Sequence, residues 1–298
     1  MTVDVAVLTP TYLDYTFVGL EGLPGPGEER FAGDMVRSPG GGGIIALATA
    51  RLGLSVALVA PLGDDLAGRY VRRALEEDGV EVGEPRGRRT PTTMVMPVRG
   101  ERAMVTVDPG LRARAADVEP YAPRALAATL EQIDLLPTGT CSYLTCCDDD
   151  ARAFAGRLPH GARKPRALVV NQRESAILTG ESDPAAAVAK LGGVAETVVV
   201  CLGAEGSVAS VDGRQVTVPG AWAEPVVDTT GTEDLFVSAF AWADLHDAEP
   251  EVALRWASVY AGLSVTAPTA ARGAVTRERL LEEGAKLSLP ELPSSATA

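Results

Sequence analysis

Residues 226–240 read VVDTTGTEDLFVSAF and contain the pattern that decides the fold class. Two β-branched residues run into Asp-Thr-Thr-Gly, and a helical pattern of apolar residues begins almost at once. We therefore predict a strand over 226–228, a short polar turn and a helix over about 233–246. Such a turn at a helix N-terminus binds phosphate groups, because backbone N–H groups point outward and the helix dipole favours negative charge. Yet two carboxylates, Glu233 and Asp234, stand where an anion would lie.

Predicted strands and helices alternate along most of the chain. The other predicted strands cover 3–8, 55–63, 167–171 and 197–203, and the other predicted helices follow the glycine run at 40–43 or cover 64–80, 184–191 and 251–265. Strands that alternate with helices at this spacing predict a mainly parallel sheet covered on both faces. Residues 92–107 differ, because two short apolar segments flank Arg-Gly-Glu-Arg, and they predict a β-hairpin. Together with residues around 9–38, this hairpin is expected to form a β insertion on the sheet.

Length and charge restrict the class of protein. A chain of 298 residues can bury a large core, as one large domain or as one domain with a lid. The formal net charge of −13 argues against a nucleic-acid partner, which would be held by phosphate contacts. An acidic surface does not exclude a phosphorylated ligand, because ATP arrives with magnesium and a pocket on an acidic protein can be locally positive.

Cysteines, histidines and apolar runs exclude further classes. We expect neither a zinc site nor a disulfide framework, because the chain has two histidines and no Cys-x-x-Cys pair among Cys141, Cys146, Cys147 and Cys201. The first residues lack a basic segment followed by an apolar stretch, so no secretion signal is expected. No apolar run approaches the ~20 residues that span a bilayer. These features predict a cytoplasmic protein with reduced thiols and no membrane partner.

Several polar segments follow predicted strands. In open α/β folds, ligands bind beyond the carboxyl ends of the strands, which brings Asn171, the segment 203–206 and the segment 228–234 to one rim of the sheet. A dinucleotide-dependent oxidoreductase is not expected. No Gly-x-Gly-x-x-Gly follows the first strand, and no acid lies about 20 residues beyond such a motif.

Each candidate segment also has a purely structural interpretation. Asp234 falls in the first turn of a helix, where a carboxylate can be a capping residue or a general base that faces a hydroxyl. Asn-Gln-Arg-Glu at 171–174 is by itself more typical of a loop, and Gly-Ala-Glu-Gly at 203–206 resembles many hairpin turns. The glycines at 40–43 could serve tight packing alone, and Asp14 could be an ordinary solvated acid.

Taken in order, five segments resemble the ribokinase-like (PfkB) family of sugar and nucleoside kinases. They are LDYTFVGLEGLPGPGEE (13–29), PGGGGIIALATARLG (39–53), VVNQRESAILTG (169–180), VVVCLGAEGSVAS (198–210) and DTTGTEDLFVSAF (228–240). The resemblance covers nearly the whole chain and implies an α/β fold, a three-layer α/β/α sandwich with a mainly parallel central sheet and a small β-sheet lid. The lid would come from about 9–38 and 88–108 of a single kinase domain at 1–291, and 292–298 would form a flexible tail.

The same resemblance implies a reaction and its participants. The expected activity is ATP-dependent phosphorylation of a hydroxymethyl group on a small sugar or sugar-like substrate, with nucleosides as related substrates. Mg²⁺ is the expected cofactor, and K⁺ activates some relatives. Relatives often dimerise through the lid, which makes a homodimer an expectation for this chain.

The resemblance also assigns roles to individual residues. Asp234 corresponds to the general base, and the backbone of Gly231 and Thr232 to part of the anion hole. Asp14 corresponds to the substrate-binding aspartate. The remaining assignments are Gly40, Gly41 and Gly42 for substrate, Asn171, Cys201, Gly203, Glu205, Gly206 and Ser258 for nucleotide, Glu174 with Asn171 for magnesium through water, and Asp228 with Thr230 for a monovalent cation.

Four positions depart from the family pattern. Glu233 replaces the anion-hole glycine, Ile44 (or Ile45, if the alignment shifts by one) replaces an asparagine near the sugar, Cys201 replaces a threonine, and Ser258 stands where an asparagine is common. Glu233 matters most, because two like charges about 4 Å apart repel by roughly 1 kcal/mol in water and by several times that near a protein surface. About 1.4 kcal/mol corresponds to a tenfold change in rate.

Two interpretations of Glu233 follow. The chain is either an active kinase with an unusual substrate or a catalytically impaired protein that keeps the kinase fold to bind a sugar or nucleotide. Retention of Asp234, Asn171, Glu174 and Asp14 favours the active kinase. No Lys or Arg is assigned to the ligand side, although Arg37 and Arg99 lie near the expected lid and leave a phosphorylated sugar open.

Overall fold

The structure, a computed structural model, describes residues 1–98, 101–137, 139–157, 164–221 and 223–292. Arg99, in the turn of the predicted hairpin, and residues 293–298 of the expected tail lie outside this described part. In chain order the strands are β1 (Thr2–Val7), β2 (Thr11–Val18), β3 (Asp34–Gly41), β4 (Val56–Leu58), β5 (Glu81–Val82), β6 (Thr92–Val98), β7 (Glu101–Val107), β8 (Ala122–Thr129), β9 (Cys141–Thr145), β10 (Ala167–Asn171), β11 (Thr197–Cys201), β12 (Gly206–Val211) and β13 (Arg214–Pro219).

Ten α-helices are found among the described residues. They are α1 (Gly42–Arg51), α2 (Leu66–Glu77), α3 (Ala115–Val118), α4 (Asp148–Phe154), α5 (Gln172–Thr179), α6 (Pro184–Leu191), α7 (Thr232–Asp244), α8 (Pro250–Ser264), α9 (Ala270–Gly273) and α10 (Arg277–Lys286). None of them is long and apolar enough to cross a bilayer.

A nine-stranded sheet forms the centre of the protein. Its strand order is β13-β12-β11-β10-β9-β8-β1-β4-β5, and every pair from β11 to β5 is parallel. Only β12 and β13 run antiparallel, as an edge hairpin. Alternate residues of β10 enter two different cores: Val169 packs with α1, α7 and α8 on one face, whereas Val170 packs with α5 and α6 on the other. Burial on both faces is typical of a parallel sheet between two helical layers.

A second, smaller sheet has four strands. Its order is β3-β2-β6-β7, with β2 parallel to β6 and the outer pairs antiparallel. We call this sheet the lid sheet. The predicted α/β/α sandwich with a mainly parallel sheet and a small second sheet is thereby confirmed.

The outer face of the lid sheet exposes apolar side chains at Met35, Met94, Val105 and Val107. The expected homodimer through the lid stays a prediction, as does the assignment of 1–291 to one domain.

The strand predicted at 226–228 is wrong. These residues belong to neither sheet, and Val226 and Val227 are exposed. The N–H groups of Val227 and Asp228 instead donate to the carbonyl of Val265, at the end of α8, over 2.6 and 3.2 Å. A pair of β-branched residues favours an extended backbone, and here the hydrogen-bond partner of that backbone is a helix end rather than a strand. The strand predicted at 55–63 is also shorter than expected, covering only Val56–Leu58.

Helix α2 offers a matched test of the core. Leu75 is fully buried, whereas Leu66 on the same helix is 80% exposed. We expect Leu75→Ala to lower the free energy of unfolding by about 2–5 kcal/mol, because it leaves a cavity in the core. Leu66→Ala should change it by no more than about 0.5 kcal/mol. Urea unfolding of both variants measures the difference, and equal losses would contradict the packing described.

Candidate active site

A cavity of about 490 Å³ lies between the lid sheet and the carboxyl ends of the central strands. The last residues of three neighbouring strands, Thr129, Thr145 and Asn171, line it side by side. The lid sheet and the start of α7 contribute the remaining walls, including Asp14 and Asp234. This central cavity therefore occupies the position at which open α/β folds bind ligands.

A smaller side pocket of about 40 Å³ adjoins the same helix start. Four residues assigned to the nucleotide line it together: Cys201, Gly203, Gly206 and Ser258. The other two residues assigned to the nucleotide do not line it, and of these Asn171 lines the central cavity whereas Glu205 lines neither space. The hydroxyl of Ser258 donates to the carbonyl of Pro219 over 3.0 Å. Glu233 lines both the side pocket and the central cavity, so the residue that replaces the family glycine stands between the two spaces.

The N-terminus of α7 depends on Gly231. Its φ of +77° lies in the left-handed region, and a Cβ there would come within 2.8 Å of both Ile44 Cδ1 and Ala270 Cβ. Glycine is the residue that accepts this backbone and this contact. With Gly231 as the N-cap, the first helical N–H groups remain directed at the cavity and the side pocket, where they can bind an anion.

The carboxylate of Asp234 is not a helix cap. The N-cap position has no side-chain hydrogen bond, and within the described residues no hydrogen bond reaches the Asp234 carboxylate. Burial raises the pKa of Asp234 well above its usual range, and the negative charges of Glu233, Asp14 and Glu174 raise it further. The side chain is therefore free to exchange a proton with a group in the cavity.

Asp14 projects from β2 into the same cavity and is only 9% exposed. Burial raises its pKa to about 7, against a stabilising hydrogen bond from Thr93. A Cβ at Gly40, on the paired strand, would lie 2.2 Å from an Asp14 oxygen, so Gly40 provides space for this carboxylate. Of the three glycines assigned to substrate, Gly41 lines the cavity, whereas Gly42 packs against the backbone of Thr9.

Asn171 and Glu174 form a capping box at the start of α5. The Glu174 N–H donates to Asn171 Oδ1 over 2.9 Å, and the Asn171 N–H donates to Glu174 Oε2 over 3.0 Å. This reciprocal pair explains the two residues structurally. It also directs a buried carboxylate into the central cavity, where burial, followed by the charge of Glu233, raises the pKa of Glu174 to about 8.

The carboxylate of Asp228 has one satisfied and one unsatisfied oxygen. Its Oδ1 accepts from the N–H and the hydroxyl of Thr230 over 2.9 and 2.7 Å. Its Oδ2 is buried and has no hydrogen-bond partner in the described part of the chain. Since a buried carboxylate oxygen without a partner is costly, the atom fits a monovalent cation. The described ranges contain no group of three or more His, Cys, Asp or Glu arranged to hold a metal.

Comparison with known proteins decides the family. Residues 15–277 match the model of the pfkB family of carbohydrate kinases. The chain belongs to this family. It is a carbohydrate kinase. It is similar to the ribokinase of Bacillus subtilis (strain 168), with 30% identity over 280 residues that cover 87% of this kinase and 92% of the relative.

Solved structures share the fold of this kinase. The ribokinase of Cryptococcus neoformans var. grubii in complex with ADP matches with a TM-score of 0.76 and 22% identity, over 94% of this chain and 99% of that one. The ribokinase of Arabidopsis thaliana complexed with ribose and ATP matches with a TM-score of 0.72 and 23% identity, over 95% and 98%.

Two arginines that were not predicted as site residues line the central cavity, Arg102 on β7 and Arg112. Arg37, considered for this role, instead lies over the ring of Tyr70, with 5.3 Å between the guanidinium carbon and the ring centre. Of the two isoleucines considered at the altered asparagine position, Ile44 lines the cavity and Ile45 is buried in the core. The alternation of β7 could have indicated Arg102, but only with knowledge of which face of the lid sheet points inward.

Asp14 should make the stability of the kinase depend on pH. Its pKa rises from an ordinary value of 3.8 to about 7 on folding, so the folded state holds the proton more tightly. Its contribution to stability is therefore complete below about pH 4 and is lost as the pH rises through about 7, with a slope of at most about 1.4 kcal/mol per pH unit.

The measurement is urea unfolding of wild type and Asp14→Asn between pH 4 and pH 8 without nucleotide. The asparagine variant should gain stability relative to wild type as the pH rises across this interval. Asp64→Asn, at an exposed carboxylate, is the control and should leave the shape of the wild-type curve unchanged. A constant difference between Asp14→Asn and wild type would show that Asp14 does not titrate in this range.

Proposed function

We propose that this kinase transfers the γ-phosphoryl group of ATP to a hydroxymethyl group of a small sugar or sugar-like alcohol, with Asp234 as the general base. The observation that carries the proposal is the position of Asp234. Its carboxylate faces the central cavity in the first turn of α7, directly after the positive-φ residue Gly231. Within the described chain no other group uses this carboxylate as a hydrogen-bond acceptor.

In this mechanism Asp234 accepts the proton of the substrate hydroxyl. The hydroxyl oxygen then forms a bond to the γ-phosphorus, and the bond between that phosphorus and the bridging oxygen of ADP breaks. The N–H groups of Gly231 and Thr232, at the positive end of α7, stabilise the charge on the transferring oxygens. A raised pKa makes the deprotonated Asp234 carboxylate a stronger base than an ordinary aspartate.

The sugar and the nucleotide occupy different spaces. Asp14 accepts hydrogen bonds from sugar hydroxyls, since a carboxylate can accept from two at once. The nucleotide lies on the side pocket, against Cys201, Gly203, Gly206 and Ser258, with Glu205 nearby. The ADP, ribose and ATP complexes of the structural relatives support these ligand classes. Closure of the lid sheet over the cavity would exclude water and protect ATP from hydrolysis.

Asn171 and Glu174 are the residues that would hold Mg²⁺, through water. The capping box leaves Glu174 Oε1 and the second lone pair of Asn171 Oδ1 outside the pair, and both can accept hydrogen bonds from magnesium-bound water. When bound, Mg²⁺ would neutralise negative charge on the phosphates of ATP. Asp228 and Thr230 would hold K⁺ in the monovalent site, with the unpaired Asp228 Oδ2 as the ligand atom.

Glu233 favours a second candidate function. Its charge raises the pKa of Asp234 and Glu174, and it stands between the sugar and nucleotide spaces. A negative charge there opposes the approach of a γ-phosphoryl group. The second candidate is therefore a protein that binds a sugar or nucleotide on the kinase fold without efficient transfer.

A substrate panel separates the two candidates. ATP turnover with magnesium and potassium is measured against sugars and nucleosides for wild type, Asp234→Asn and Glu233→Gly. We expect wild type to phosphorylate one of these substrates, and Asp234→Asn to lose about 10²–10⁴-fold in kcat, because the general base is removed. Asp64→Asn, the same change at a distant exposed site, should keep wild-type kcat. If wild type turns over none of these substrates and Glu233→Gly does, the result would instead support the second candidate, a protein that binds without efficient transfer.

The monovalent site has its own test in the same assay. Replacing tetramethylammonium with potassium should raise the turnover of wild type and its melting temperature, because a small cation satisfies the buried Asp228 oxygen. Asp228→Asn keeps an acceptor for Thr230 but replaces the unpaired oxygen with an NH₂ group, so both potassium effects should disappear. Equal values in the two salts for wild type would remove the monovalent site from the proposal.

A further inference from the structure

Acidic side chains far outnumber basic side chains in the lining of the central cavity. Eight acidic side chains line it: Asp14, Asp108, Glu131, Asp149, Asp150, Glu174, Glu233 and Asp234. The basic residues in the same lining are Arg102 and Arg112. A polyanionic nucleotide therefore meets a strongly negative surface, and any free cation in this cavity has a large effect on where its phosphates can lie.

Arg112 is already paired, whereas Arg102 is not. The Arg112 guanidinium lies 2.8 Å from an Asp108 oxygen and 3.8 Å from a Glu131 oxygen. Among the described residues, no hydrogen bond or ion pair reaches the Arg102 guanidinium, although nearby carboxylates outnumber it. Arg102 is thus the cation of this cavity whose donors remain available to a ligand.

The strand register places Arg102 at one end of the cavity. Arg102, Met104 and Thr106 alternate along β7 and line the cavity from the same face of the lid sheet. The Thr106 hydroxyl lies 3.1 Å from that of Thr93, which hydrogen-bonds Asp14, so Thr106 marks the end where Asp14 lies. Arg102 stands four residues away, roughly 13 Å along the strand.

Arg102 shares this cavity with Glu233 and Asp234 at the start of α7. Its positive charge lowers the pKa of Asp234, in the first turn of α7, and of Asp228, in the turn before that helix. The position of Arg102 on β7 thus separates its guanidinium from Thr106 and Thr93, beside which Asp14 would hold the sugar, and leaves it within the cavity that the start of α7 lines.

We propose that Arg102 is a catalytic residue that binds the γ-phosphoryl group during transfer and offsets the charge of Glu233. The proposal rests on the kinase function above. A guanidinium matches the phosphate oxygens through two parallel N–H donors and stays protonated throughout, so it moves no proton and only stabilises charge. The lid sheet would thus supply a cation where this chain has a carboxylate in place of the family glycine. Arg102 and Glu233 should then be energetically coupled.

A double-mutant cycle tests this coupling. Arg102→Met keeps a side chain of similar reach without charge, and it is measured in wild type and in Glu233→Gly. In wild type we expect kcat to fall by about 10²-fold or more, as when a preorganised donor to the transferring group is removed, with KM for the sugar changed less than about 3-fold. In the Glu233→Gly background, the fold reduction in kcat caused by Arg102→Met should be at least about tenfold smaller, because there is less negative charge to offset. Arg102→Lys should recover part of the loss.

Arg37→Met is the matched control, since Arg37 lies on the same sheet but stacks on Tyr70 away from the cavity. It should keep wild-type kcat, and melting temperatures of all variants report folding. If Arg102→Met lowers kcat by the same factor in wild type and in Glu233→Gly, Arg102 does not offset the charge of Glu233 and the proposal is overturned. A raised KM at unchanged kcat would overturn the proposal in favour of Arg102 binding an acidic group on the sugar.

A binding measurement tests the role of Arg102 without requiring that the kinase turn over a sugar. The affinities for magnesium complexes of ADP and of a non-hydrolysable ATP analogue are measured by calorimetry in wild type and Arg102→Met. Arg102→Met should lower the affinity for the ATP analogue by about tenfold and leave the affinity for ADP unchanged, because only the analogue carries a γ-phosphoryl group. Equal effects on the two nucleotides would overturn the proposal even if no sugar is turned over. Where wild type does turn over a sugar, loss of that activity in Asp234→Asn would still support the kinase function.

Discussion

The site depends on one backbone constraint, the left-handed conformation of Gly231 where α7 begins. The space for a Cβ is occupied by Ile44 from α1 and Ala270 from α9, so three separate elements close on this residue. Its position sets where the N–H groups of α7 point and where the next side chains, Glu233 and Asp234, project. Because β3 of the lid sheet ends at Gly41 and α1 begins at Gly42, the same packing connects the glycine run with the turn before α7.

The second constraint is electrostatic. Burial and neighbouring negative charges raise the pKa of Asp14, of Glu174 and of Asp234, so the cavity disfavours the charged forms of its carboxylates. Positive charge relieves this cost, so the proposed magnesium and monovalent cation would reduce it, as would the unpaired guanidinium of Arg102. Glu233 adds a further negative charge and makes this kinase different from the family pattern at the turn proposed to bind the phosphate.

The sequence predicted the alternating strands and helices well where burial was strong. β10 and β11 are short β-branched runs buried on both faces, and α6 follows its predicted bounds, because local pattern and tertiary environment agree there. The strand predicted at 226–228 was wrong because two valines satisfy a strand pattern while their hydrogen-bond partner, the end of α8, lies about 37 residues further along the chain. The edge hairpin of β12 and β13 was not predicted, since its segments are short and bounded by a Gly-containing turn that has many structural uses.

The sequence by itself determined the family, the layered α/β class and the acidic nature of the segment 228–234, because these depend on ordered motifs and on residue type. Tertiary structure alone decided which candidates share a space. It brought Thr129, Thr145 and Asn171 from three strands to one rim, showed that Asn171 and Glu174 are joined in a capping box, and separated Gly41 in the cavity from Gly42 in the packing. It also brought Arg102 over the cavity while Arg37 turned away, because the inward face of a strand depends on sheet register and not on the local sequence.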